Sequence, residues 1–186
     1  MKKYLLLALL LALNFIFVGA QETDWIKVKD TIAAYVIDFP KIPEKGMQDV
    51  PTDKGIVKMN TYTLQPENDV NVIYMSSFTK YPSSFFDDGL ITMQSQQNVL
   101  DGSVNGAVSN TKGKLISDVK ILFNGYQGRE IKILVNSSNV DYVIQMKIVL
   151  AGFKLYLAQV IYFKENKDNE NAKRFFDSLE LINIKE

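Results

Sequence analysis

Between Lys114 and Phe163, apolar and polar residues alternate in successive runs, and this period of two organises the reading of the whole chain. Leu115, Ser117, Val119, Ile121 and Phe123 alternate with Lys114, Asp118, Lys120 and Asn124. Ile131, Ile133 and Val135 alternate with Glu130, Lys132 and Asn136. Val140, Tyr142, Ile144, Met146 and Ile148 alternate with Asp141, Gln145 and Lys147. Side chains two apart share one face of a strand, so each run predicts a half-buried strand. A fourth run, Phe153 to Phe163, is apolar at both parities, which predicts a central strand covered on both sides. Its neighbours are separated by turn residues: Asn124-Gly125-Tyr126-Gln127-Gly128-Arg129-Glu130, Asn136-Ser137-Ser138-Asn139 and Ala151-Gly152.

Upstream, Trp25 to Val28 is a short apolar start, and Ala33 to Phe39 reads as a strand stopped by Pro40 and Pro43. Met47 to Val50 reads as a brief strand, and Gly55–Leu64 with Val70–Phe78 as an antiparallel hairpin. The period then changes. Phe86, Leu90, Met93, Gln97 and Leu100 recur three or four apart, with Ser84 and Asp87 at cap spacing, so a helix is expected to start at Ser84. Asp101-Gly102 is expected to stop it, leaving Gly102 to Asn110 as a loop or weak edge strand. After the charged stretch Lys164 to Asn171, the residues Ala172, Phe175, Phe176 and Leu179 predict a second helix, capped by Asp168 or Asn169. Leu181 to Ile184 can return as a last strand. The order predicts an α+β fold, an antiparallel β-sheet with helices packed on its faces, in one domain spanning 21–186.

Residues 1–20 have a different character. Lys2 and Lys3 precede an apolar run from Tyr4 to Val18, and Val18-Gly19-Ala20 is a small-residue end. This is the layout of a signal peptide cleaved between Ala20 and Gln21. The run is shorter than a spanning helix needs, so no stable membrane span is expected after cleavage. The expected location is exported, periplasmic or extracellular.

Composition narrows the chemistry. Lys+Arg and Asp+Glu are both 21, and loss of Lys2 and Lys3 tips the balance slightly acidic, which argues against nucleic acid as a partner. There is no cysteine and no histidine. Disulfides, thiolate nucleophiles, Ser-His-Asp triads and the usual zinc sites are therefore excluded. No catalytic set, cofactor motif or metal-ligand pattern stands out. Asp87-Asp88 and the group Glu165, Asp168 and Glu170 lack calcium-loop spacing and read as solvated charge.

Four features remain as candidate sites. Gly125 and Gly128, with Arg129 and Glu130 beside them, read as a structural turn needing positive φ, with a weak anion cradle as the other reading. Arg129 and Glu130 are adjacent in a strand, so they point to opposite faces and need different partners. Arg174 and Asp177 have the spacing of a helix surface pair, and Asn136-Ser137-Ser138 matches a glycosylation sequon. Tyr62, Tyr74, Tyr81, Phe85 and Tyr126 could line a pocket or a partner surface, against a default of core packing.

Five elements in series carry a resemblance: Trp25, Phe39-Pro40 with Pro43, Gly125 to Glu130, Leu155-Tyr156, and Ala172 to Leu179. In that order they resemble exported bacterial proteins of the PsbP-like fold, an α/β/α sandwich around an antiparallel sheet. The resemblance implies binding or accessory roles and supplies no catalytic residues. The expectation is an exported, non-enzymatic binding or accessory domain whose partner is an envelope protein or a small apolar ligand. A lipid or small-molecule carrier, or an envelope enzyme built on carboxylates or Tyr, is the alternative.

Overall fold

The computed structural model describes residues 25–166 and 169–182. The cleavage point at Ala20 and Gln21, the candidate cap Asp168 and the end of the expected last strand lie outside the described residues. Strands form at β1 (Ile26–Asp30), β2 (Tyr35–Phe39), β3 (Glu44–Thr52), β4 (Gly55–Leu64) and β5 (Asn71–Lys80). They continue with β6 (Lys114–Phe123), β7 (Tyr126–Ser137), β8 (Val140–Ala151), β9 (Lys154–Phe163) and β10 (Glu180–Leu181). Two α-helices interrupt them, α1 (Met93–Thr111) and α2 (Glu170–Asp177).

Seven strands make one antiparallel sheet in the order β3-β4-β5-β9-β8-β7-β6. The doubly apolar run is the middle strand of this sheet, as its composition predicts. One of its faces, Tyr156, Ala158, Val160 and Tyr162, is buried, whereas Leu155, Leu157, Ile161 and Phe163 on the other are only half-buried. Coverage on both sides is thus half realised. The meander β6–β9 and the β4–β5 hairpin match the alternation read from the chain.

A second sheet, β1-β2-β10, is absent from the expectation. It packs with α2 on one face of the large sheet, where Tyr35, Ile37, Phe39, Phe175 and Phe176 meet Tyr74, Phe78, Tyr156, Val160 and Tyr162. On the opposite face, Leu100 and Val104 of α1 pack on Ile131, Ile133, Ile144, Met146 and Ile148. Two separate cores therefore share one sheet. We call these the α2 face and the α1 face.

The first helix departs from expectation at both ends. Ser83–Phe85 is a single 3-10 turn, and α1 starts only at Met93, capped by Thr92, whose hydroxyl accepts the Ser95 amide at 3.1 Å. Gly89 and Leu90 explain the delay. Both have positive φ, 63° and 56°, which a helix cannot contain, and the Asp88 carboxylate takes the Leu90 amide at 3.0 Å. Nor does Gly102 stop the helix, which runs on to Thr111 and ends at Lys112 with φ of 50°. Gly102 and Gly106 face open space, so they weaken α1 without breaking it. Met93, expected on the apolar stripe, is exposed.

Candidate functional site

The α1 face is built unevenly. Arg129 and Gln127 of β7 point toward α1, and both are tied to it. Arg129 donates to Asp101 on the helix at 2.8 Å and to Asp118 on β6 at 2.9 Å. Gln97 donates to Gln127 at 3.0 Å. With Leu100 and Val104 packed beside these contacts, the helix is fixed over β7 and β8. Its main contacts with the sheet are with these two strands, and Leu155, Leu157 and Ile161 of β9 pack at the margin of the same core.

Register defines what lies beyond it. Ile73 and Met75 of β5 stand opposite Ile161 and Gln159 of β9, and Thr63 of β4 stands opposite Met75. Phe163 continues the row and meets the Tyr142 ring at 5.2 Å. Ile73, Met75, Ile161 and Phe163 are each half-buried; Ile161 packs at the margin of the α1-side core, and the other three lie outside both cores. At one end the strip is closed by residues 81–92. There Tyr81 donates its amide to Phe153, and Phe86 packs between the rings of Tyr81 and Phe153 at 5.8 and 5.9 Å. At that end Ser77 and Thr79 are buried. The result is an apolar strip bordered by threonines on one side and by α1 on the other. Gln159, opposite Met75, is a polar residue set within it, so the strip is a small and mostly apolar surface.

The α2 face carries a different feature, an open cleft of about 370 Å³ between β7–β8 and α2. Cross-strand neighbours Glu130 and Lys147 pair at 3.2 Å on its floor. Lys147 is nearly buried, its ammonium lies 5.3 Å from the Phe123 ring centre, and it also donates to the Phe176 carbonyl at 3.4 Å. Gln145 accepts from Tyr162 at 3.1 Å, and Lys173 pairs with Asp177 at 2.9 Å. Most of its charges thus compensate one another. This arrangement orders the floor and the facing helix and leaves little unspent charge for a substrate.

The candidate residues read from the chain do not converge. Only Asn124-Gly125 forms the first turn, with φ of 49° and 86° in a two-residue loop between β6 and β7, the pattern of a type I′ hairpin. Gly128, Arg129 and Glu130 lie inside β7, so the anion-cradle reading has no loop to rest on. Gly128 does not need positive φ. It needs the absence of a side chain, because a Cβ there would sit 2.6 Å from the Ile148 carbonyl oxygen. Arg129 and Glu130 do take opposite faces, with Asp101 and Asp118 on one side and Lys147 on the other.

Among the aromatics, Tyr74 is buried and bonds Asp69 at 3.0 Å, while Tyr62 donates to Asp30 at 3.1 Å. Tyr126 packs at the edge of the α2-side core, and Tyr81 lies at the far end of the sheet. Phe85 packs beside Gly55 at the tip of the β3–β4 hairpin. None of them lines the cleft between β7–β8 and α2. Arg174 does not pair with Asp177, which takes Lys173 instead; its guanidinium lies 4.7 Å from the Trp25 ring centre. Asn136 of the sequon donates to Asp141 at 2.7 Å beside the Ser138-Asn139 turn. The strip residues Ile73, Met75, Ile161 and Phe163 are not among the candidates that the sequence offers. Their signal lies in the two-sided apolarity of β9, which reads as full coverage.

The shifted ionisable groups are all held in their ordinary charge state near neutrality. Burial pushes Tyr156 up to about 12 and pushes Tyr35, Tyr74, Tyr81 and Tyr162 up as well. Hydrogen bonds from Ser95 and the Leu90 amide lower Asp88, and the Lys164 side chain lowers Asp141. Because a buried phenol ionises later in the folded than in the unfolded chain, its stabilising effect is complete below about pH 10. It is lost as pH rises through the folded values. Thermal unfolding followed across pH is therefore expected to give a melting temperature that falls steeply from about pH 10 upward. A flat profile to pH 12, the value reached by Tyr156, would contradict the burial of these rings.

No protein-family model matches the chain, and no curated protein matches it in sequence. Among solved structures, the chain is similar to cyanobacterial PsbP (CyanoP) from Synechocystis sp. PCC 6803, at 14% identity and a TM-score of 0.48, over 88% of this chain and 95% of that one. It is similar to a protein from Bacteroides thetaiotaomicron at 12% identity and a TM-score of 0.48, over 83% of this chain and 47% of that one. A protein of unknown function from Pseudomonas aeruginosa is similar at 10% identity and a TM-score of 0.38, over 64% of this chain and 85% of that one. The first of these three bears the name of the family that the sequence resembles. At such identities the three likenesses carry nothing about activity.

Proposed function

We propose that this chain is an exported, non-enzymatic accessory domain that docks a protein partner on the uncovered half of its α1 face. The observation that carries the reading is the row Ile73, Met75, Ile161 and Phe163, half-buried on the face where α1 packs mainly on β7 and β8. Leaving such a row to water forgoes roughly 25 cal/mol for each Å² of apolar surface, and a partner that covers it recovers that free energy. Two further points support binding over catalysis. The charged cleft on the other face is largely self-paired, and the shifted tyrosines are driven away from the phenolate form. A small-molecule carrier would need an enclosed apolar cavity, whereas the clefts found among the described residues are open and lined mainly by polar side chains.

The test is photo-cross-linking from single positions in the protein's own host. A photoreactive residue at Ile161 is expected to yield one protein adduct of defined mass, and the same residue at exposed Ile32 none. A lipid adduct from Ile161 would replace the protein reading with the carrier reading. No adduct from Ile161 would overturn docking on this strip.

A further inference from the structure

β6 is an end strand of the large sheet, and among the described residues nothing pairs with its outer edge. It is also the most apolar exposed strand: Ile116, Val119 and Leu122 are 48%, 52% and 68% exposed. A long unpaired edge with apolar side chains is a template for another strand. The opposite edge, β3, carries Pro51, which cannot donate a backbone hydrogen bond, and only Met47 is a large exposed apolar residue there.

From this edge we infer that two copies of the chain associate through antiparallel β6–β6 pairing centred on Val119. The register follows from the charges. A two-fold axis through Val119 sets Asp118 opposite Lys120 of the second copy and Lys120 opposite Asp118, giving two cross-strand ion pairs. Moving the axis one residue toward either end opposes Asp118 to Asp118 or Lys120 to Lys120, so the neighbouring symmetric registers are penalised. The side chains are available for this pairing. Lys120 makes no ion pair among the described residues, and Asp118 uses one carboxylate oxygen, Oδ2, for Arg129. The bulge between Leu115 and Ser117 bends only the N-terminal end of the strand.

One continuous sheet would then cross both copies, with both α1 faces on the same side. The docking strip lies toward the opposite edge, so the two copies would present two well-separated strips on one side of that sheet and bind a repeated partner with avidity. A strand edge buries less than a standard protein interface, so the pairing is expected to be weak, with a dissociation constant of roughly 10–100 µM.

The absence of cysteine makes the test clean. Directly opposed residues in an antiparallel pair have Cα atoms about 4.5–5.5 Å apart, within disulfide range. Under mild oxidation of the chain without its leader, Val119→Cys is expected to form a covalent dimer at least about tenfold faster than Ile32→Cys, a site 89% exposed in a turn outside the sheet edge. Sedimentation of the cysteine-free protein at about 0.5 mM should give a mostly dimeric mass. Lys120→Glu, which turns both ion pairs repulsive, should raise the dissociation constant about tenfold or more. Equal cross-linking rates for the two cysteine variants would overturn the proposal, as would a monomeric mass at that concentration. A dimer indifferent to Lys120→Glu would overturn the register.

Discussion

Phe175→Ala is expected to lower the melting temperature by roughly 10 °C, from a loss of about 3–5 kcal/mol. Phe175 is fully buried, and its ring meets those of Phe39 at 5.1 Å, Tyr74 at 5.3 Å and Phe176 at 5.7 Å. Truncation removes edge-to-face contacts to three rings at once, one on β2, one on β5 and one on its own helix, and leaves a cavity between them. The helix that carries it has eight residues, too few to hold itself together in water. Its position also anchors the C-terminal end of the described chain, because Ser178 accepts the Asp38 amide at 2.9 Å and β10 pairs with β2. The single tryptophan reports the change directly. Trp25 lies edge-on to Tyr74 at 5.9 Å with Arg174 over its ring, so its emission should shift to the red before global unfolding. A melting temperature within about 3 °C of the parent would mean that the α2-side core is not organised around this ring.

Gly128→Val should cost about 3 kcal/mol, and Gly125→Ala only about 1 kcal/mol, a contrast that separates two reasons for glycine. At Gly128 the added carbon would lie 2.6 Å from the Ile148 oxygen and 3.0 Å from Ile121. The strand cannot retreat, since it is paired to β6 on one side and β8 on the other. At Gly125, φ is 86° but nothing lies within 4 Å, so the cost is backbone strain alone. Equal melting temperatures for the two variants would remove the close-approach argument. The position of Gly128 in mid-strand is what moves the reason from turn geometry to packing.

Local alternation specifies much of this chain. The strands β6 to β9 and the hairpin β4–β5 follow from side-chain period and turn residues, which are properties of a few adjacent positions. Three features lie beyond that reach. The small sheet joins β2 to β10 across most of the chain, a pairing that no local pattern encodes. Helix α1 contains Gly102, Gly106 and several Ser and Asn residues, and only Gln97, Leu100 and Val104 on it are buried. Its extent is thus set by packing on β7 and β8 more than by propensity. The docking strip is hidden for a third reason. An apolar strand reads the same whether or not a helix lies over it, and the placement of α1, held by Arg129 and Gln97 toward β7, is a tertiary feature that no local pattern carries.

A single substitution tests docking on the strip. Met75→Lys puts a charge there without touching either core, so the melting temperature should stay within about 3 °C of the parent. The protein adduct formed from a photoreactive residue at Ile161 should be lost. A stable Met75→Lys protein that still forms the adduct at the parental yield would contradict docking on the uncovered half of the α1 face.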